Sequence, residues 1–114
     1  MVIIKEAYIP LDKYADRVID FDTLLYGIKI NCKNEFTLSI YDKQREKIIA
    51  EGKPSDVKID RTGLVIHNDN GMKYTLSFQP LDLSSISEVD NRASTDYIIP
   101  IKASRQAFFR FSVW

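Results

Sequence analysis

Residues 63–81 read GLVIHNDNGMKYTLSFQPL, two apolar-rich runs meeting at Asn68, Asp69, Asn70 and Gly71, and the reading of this stretch decides the fold. In the second run Met72, Tyr74, Leu76 and Phe78 alternate with Lys73, Thr75, Ser77 and Gln79. A period of two is that of a strand with one apolar and one polar face, and Tyr, Thr and Phe suit a pleated surface better than a helix. A two-residue loop at Asn70-Gly71, the pair that tolerates positive φ in a type I′ turn, would set Val65 opposite Leu76 and His67 opposite Tyr74. A three-residue loop would instead turn Leu64 and Ile66 inward. The first strand is apolar at nearly every position, so its pattern admits both.

Around this hairpin the chain reads as one β domain spanning residues 1–114. It is 45% hydrophobic and 28% charged, with four Gly and four Pro, a globular composition. Sixteen basic residues balance sixteen acidic ones, which disfavours a dedicated phosphate-neutralising protein. A lone cysteine, Cys32, allows no intrachain disulfide and suits a reducing, cytoplasmic setting. The opening MVIIKEAYIP lacks the apolar region of a secretory leader, and no stretch has the length of a spanning helix. An outer-membrane barrel strand ending at Trp114 would need Ser112 and Arg110 to face lipid, so no membrane association is expected.

In chain order, Val2–Tyr8 reads as a strand ended by Pro10. Leu11, Tyr14, Ala15, Val18 and Ile19 share one face of a short helix. Period two returns over Leu24–Cys32 and continues through Phe36, Leu38 and Ile40, as a hairpin with Cys32 opposite Phe36 and Lys33, Asn34 and Glu35 in the loop. Asp42–Arg45 reads as a turn, Lys47–Glu51 and Val57–Ile59 as strands. Pro80–Asp96 reads as a long loop, or a loop with one helical turn around Leu83–Val89, of the kind that often carries function. Tyr97–Ala103 and Ala107–Trp114 form a last strand pair, with Pro100 pointing to an edge or a bulge. The expected fold is all-β, a small antiparallel sandwich or partly open barrel of about eight strands with one short N-terminal helix.

The strongest chemical signal is a charge asymmetry. Asp82, Glu88, Asp90 and Asp96 against Arg92 make the long loop acidic by three, whereas Lys102, Arg105 and Arg110 make the last eighteen residues basic by three. The two segments either pair with each other or, with Phe108, Arg110 and Trp114 on one side of the terminal strand, offer an aromatic and cationic contact surface.

Other constellations have blander explanations. His67 and Cys32 could compose a thiol–imidazole dyad, but both fall in strand-like runs as packing residues, and with Asp69 they lack zinc-site spacing. Asp12, Asp16, Asp20 and Asp22 gather on the polar side of the expected helix, interleaved with Lys13 and Arg17, as a solvated face. Asn68, Asp69 and Asn70 resemble a calcium loop, but Gly71 follows too early and the closing acid is missing. There is no phosphate-binding loop, dinucleotide fingerprint or nucleophile elbow.

The reading is therefore of a non-enzymatic protein-binding module, such as an inhibitor, an immunity-type factor or an assembly subunit, with no cofactor and no metal. Its partner would be another protein or a second copy, met through the 80–96 loop and the terminal strand at Asp82, Glu88, Asp90, Lys102, Arg105, Phe108, Arg110 and Trp114. The alternative is nucleic-acid or saccharide binding on an exposed aromatic and basic face of the same sheet.

Overall fold

The computed structural model describes residues 17–90, 93–104 and 106–114. Among them lie nine strands and one helix: β1 (Arg17–Ile19), α1 (Phe21–Asn31), β2 (Phe36–Asp42), β3 (Arg45–Gly52), β4 (Pro54–Asp60), β5 (Gly63–Asn68), β6 (Lys73–Ser77), β7 (Ile86–Asp90), β8 (Thr95–Pro100) and β9 (Ala107–Val113). A six-stranded sheet runs β1-β7-β8-β9-β2-β3 and a three-stranded sheet β4-β5-β6, with antiparallel pairing throughout. The result is a sandwich, not a closed barrel.

The large sheet turns Phe36, Leu38, Tyr97, Ile99, Phe109, Phe111 and Val113 inward, where they meet Leu24 and Ile28 of α1 and Leu64 and Ile66 of β5. Phe21 packs edge-on against Phe78 at 5.8 Å, and Phe36 against Tyr74 at 6.2 Å. Helix and small sheet thus share the second layer, α1 lying beside β4.

The central hairpin takes the three-residue alternative. Leu64 pairs with Leu76 and Ile66 with Tyr74, leaving Asp69, Asn70 and Gly71 in the loop. Asn68 N–H donates to Met72 O at 2.8 Å, Gly71 N–H donates to Asn68 O at 3.1 Å, and Gly71 has φ +92°, the left-handed residue that closes such a loop. Leu64 and Ile66 are buried and His67 is half-exposed. At the β2–β3 turn Lys43 and Gln44 both take positive φ, closing a two-residue hairpin at the polar turn read from the sequence. Lys47–Glu51 and Val57–Ile59 lie within β3 and β4.

Four expectations need correction. Of the helix expected over Leu11–Ile19, the end is otherwise: Arg17–Ile19 is strand β1, while Leu11–Asp16, like Val2–Tyr8, lies outside the described residues. The helix lies where alternation suggested a strand and hairpin. Phe21, Leu24 and Ile28 form a buried stripe at helical spacing, Asp20 caps it by accepting from Thr23 N–H at 2.8 Å, and Cys32 ends it with N–H donating to Ile28 O at 3.0 Å. The alternation of Tyr26, Ile28 and Ile30 misled because only Ile28 goes inside; Tyr26 is 66% exposed and Ile30 40%.

The 80–96 segment is not one loop, since Ile86–Asp90 inserts as β7 between β1 and β8. Its two buried apolar residues, Ile86 and Val89, are too few and wrongly spaced to announce a strand. Nor are β8 and β9 edges: β8 lies between β7 and β9, and β9 between β8 and β2. Pro100 is accommodated because the pairing of β7 with β8 ends at Ile98, so it sits past the ladder that its missing N–H would have interrupted.

Candidate functional site

The residues singled out from the sequence fall in separate places. Phe108 and Arg110 share the face of the large sheet turned away from the helix. There the Phe108 ring stacks on Tyr41 at 4.9 Å, and Arg110 lies diagonal to both Tyr41 and Asp96 across neighbouring strands. Arg110 Nε and Nη2 donate to Asp96 Oδ2 at 3.1 and 2.7 Å, and Nη1 donates to the Tyr41 hydroxyl oxygen at 2.8 Å. The guanidinium also lies 5.8 Å from the centre of the Tyr41 ring. Burial works against its charge, but the carboxylate and the phenol outweigh this and its pKa rises. This arrangement locks three strands together and leaves the cation engaged inside the protein.

Asp82 and Lys102 line one cleft of about 580 Å³ with Arg61, Thr62 and Gln79. Ser84 donates from its hydroxyl at 2.6 Å and its N–H at 3.0 Å to Asp82 Oδ1, which holds that carboxyl below its ordinary range, with Lys102 adding a smaller pull. Glu88 pairs instead with Arg17 at 2.7 Å across β7 and β1. Arg105 lies outside the described residues.

Asp90 and Trp114 come together in a third place. A groove of about 350 Å³ opens at one end of the sandwich between the C-terminus of α1, the β7–β8 turn and the end of β9, lined by Ile30, Lys33, Asp90, Ser94, Val113 and Trp114 among others. The backbone fixes its rim, for Trp114 N–H donates to Glu35 O at 3.0 Å while the side chain stays 41% exposed. Tyr26, one helical turn before Ile30, extends the exposed apolar surface. Alternation gives Ile30 and Tyr26 a core face; the Asp20–Thr23 cap is the local signal of a helix, in which only Ile28 of the three goes inside.

The chemical alternatives gain nothing from the geometry. His67 Nδ1 lies 3.9 Å from Asp56 Oδ2, and no hydrogen bond joins it to Cys32. Cys32 is buried at the C-terminal end of α1, and desolvation pushes its thiol up to about 12. It is therefore expected to resist a thiol-reactive probe at neutral pH in the folded protein and to react fully after denaturation; fast labelling of the native state would contradict its burial. Asp20 serves as the helix cap and Asp22 lies 3.7 Å from Arg61, while Asp12 and Asp16 are outside the described residues. No group of three or more metal-ligating side chains gathers among the described residues, and none of their helices is long and apolar enough to cross a membrane.

Compared with known proteins, the chain matches no family model, no curated protein and no solved structure. Any functional reading of this protein therefore rests on its own geometry and chemistry.

Proposed function

We propose that this is a non-enzymatic protein-binding module that meets its partner at the groove edged by Trp114 and Ile30. One observation carries the reading: two large apolar side chains, Ile30 and Trp114, stand exposed in the lining of one open groove, which Lys33 and Asp90 also line. An aromatic anchor with a polar rim is the composition of protein contact sites, where a few such residues dominate the affinity. The groove also joins the β7–β8 turn to the end of the terminal strand, so parts of both segments expected to bind contribute to it. Nucleic-acid or saccharide binding has less support, because Phe108 is stacked on Tyr41 and Arg110 is occupied by Asp96 and Tyr41.

The test is affinity capture from the cells that express the chain, using wild type, Trp114→Ala and Ile30→Asp, with thermal melts of each. Both positions are exposed, so the melts should stay within a few degrees of wild type. Each substitution should weaken retention of a captured protein at least tenfold, as loss of an interface anchor does. A partner held equally by all three, or capture of nucleic acid or saccharide in place of protein, would overturn the proposal.

A further inference from the structure

Among the described residues the two sheets leave four edge strands, β1, β3, β4 and β6, and these differ in how they are protected. Folded sheets block edge-to-edge pairing with short strands, charges, prolines, bulges or covering elements. β1 has three residues. β3 begins Arg45-Glu46-Lys47 and its pairing with β2 slips at Leu38/Ser39. β4 starts at Pro54, carries Asp56, Lys58 and Asp60, has a register shift between Pro54 and Asp56, and lies beside α1. β6 reads KYTLS and is the least protected: Lys73 is its only charge, it has no proline or register shift, and among the described residues it pairs with β5 alone.

The polarity of that open edge follows from the ladder. Asn68 N–H donates to Met72 O and Phe78 N–H to Thr62 O, so the hydrogen-bonded pairs of β5 and β6 are the even-numbered ones. In an antiparallel pair, bonded and non-bonded residues alternate. Lys73, Thr75 and Ser77 therefore direct their N–H and C=O groups away from β5.

We infer that β6 is a dimerisation edge and that its occupant is the β6 of a second copy, paired antiparallel about a two-fold axis at Thr75. This register sets Thr75 against Thr75 and Lys73 against Ser77, so the outward groups of both strands bond to one another, about six hydrogen bonds in all. It places no like charges opposite each other and sets Tyr74 against Leu76 on the inner side, an aromatic–aliphatic cross-strand pair. Registers centred elsewhere leave outward groups unpaired, and centring on Lys73 opposes two ammonium groups. The association is isologous and closes at two copies, because the far edge, β4, is protected. The zero net charge sets no long-range repulsion against it.

The experiment is sedimentation of the full chain from micromolar to millimolar concentration, with amide hydrogen exchange followed residue by residue. The mass should rise from 13.2 kDa toward twice that value. The amides of Lys73, Thr75 and Ser77 should gain protection with concentration, while those of Tyr74 and Leu76, already bonded to β5, are protected throughout. Thr75→Lys puts like charges opposite each other and should weaken the dimer at least tenfold, an effect relieved by salt. Thr75→Pro removes an outward N–H without touching the β5 ladder and should give a folded monomer. A chain that stays monomeric at millimolar concentration overturns the inference. So does a dimer indifferent to Thr75→Lys, or protection of the three amides only when a different protein is bound.

Discussion

Replacing Gly27 by alanine should lower the stability of this protein by about 2 kcal/mol, although alanine is the better helix former by about 1 kcal/mol. Gly27 sits mid-helix on the face of α1 turned to β8, and a Cβ there would overlap the hydroxyl of the fully buried Tyr97. For a domain of this size the thermal midpoint should fall by about 10 °C. The partner substitution makes the prediction specific. The Tyr97 hydroxyl makes no hydrogen bond among the described residues, so Tyr97→Phe alone should cost little. With the hydroxyl gone, a Cβ at position 27 next meets ring carbon Cζ at 3.0 Å, a contact relieved by a small shift. Gly27→Ala combined with Tyr97→Phe should then melt near wild type, a coupling above about 1 kcal/mol. Additive effects of the two substitutions would show that the helix does not approach β8 this closely.

The second large effect is expected at Asp96. Its side chain is 4% exposed and receives two bonds from Arg110, itself 31% exposed. Asp96→Ala removes the main counter-charge of a guanidinium largely withdrawn from water, and should cost about 3 kcal/mol. Arg110→Met should cost a similar amount by leaving a buried carboxylate without that cation. Asp96→Val together with Arg110→Met should recover much of the loss, because apolar side chains avoid the desolvation penalty that an ion pair must offset. Chemical denaturation of the three variants measures the coupling directly; three equal losses would mean that the pair contributes through packing rather than charge. Binding tests should therefore use Trp114 and Ile30, since a change at Arg110 mixes stability with recognition.

The helix shows why local pattern and fold can disagree. Over Leu24–Cys32 the alternation of Tyr26, Ile28 and Ile30 imitates a strand, and Gly27 lowers helix propensity further. Its glycine is explained by a tyrosine seventy positions later, a contact that no local window contains. The same alternation conceals the groove, because it points Tyr26 and Ile30 inward. By contrast Asp20 with Thr23 is a local cap that was present in the sequence to be read.

What the sequence determined by itself was the all-β class, the strand at Lys73–Ser77, the turn at Asn68–Gly71 and the closing strand pair, because period two and turn chemistry act over a few residues. The tertiary structure decided the rest. It selected the three-residue loop by burying Leu64 and Ile66, placed β9 inside the large sheet, drew Arg110 onto Asp96 and Tyr41, and set Ile30 and Trp114 in the lining of one groove. Strand order and the partner of a long charged side chain depend on residues distant along the chain, and only packing brings them within a few ångströms.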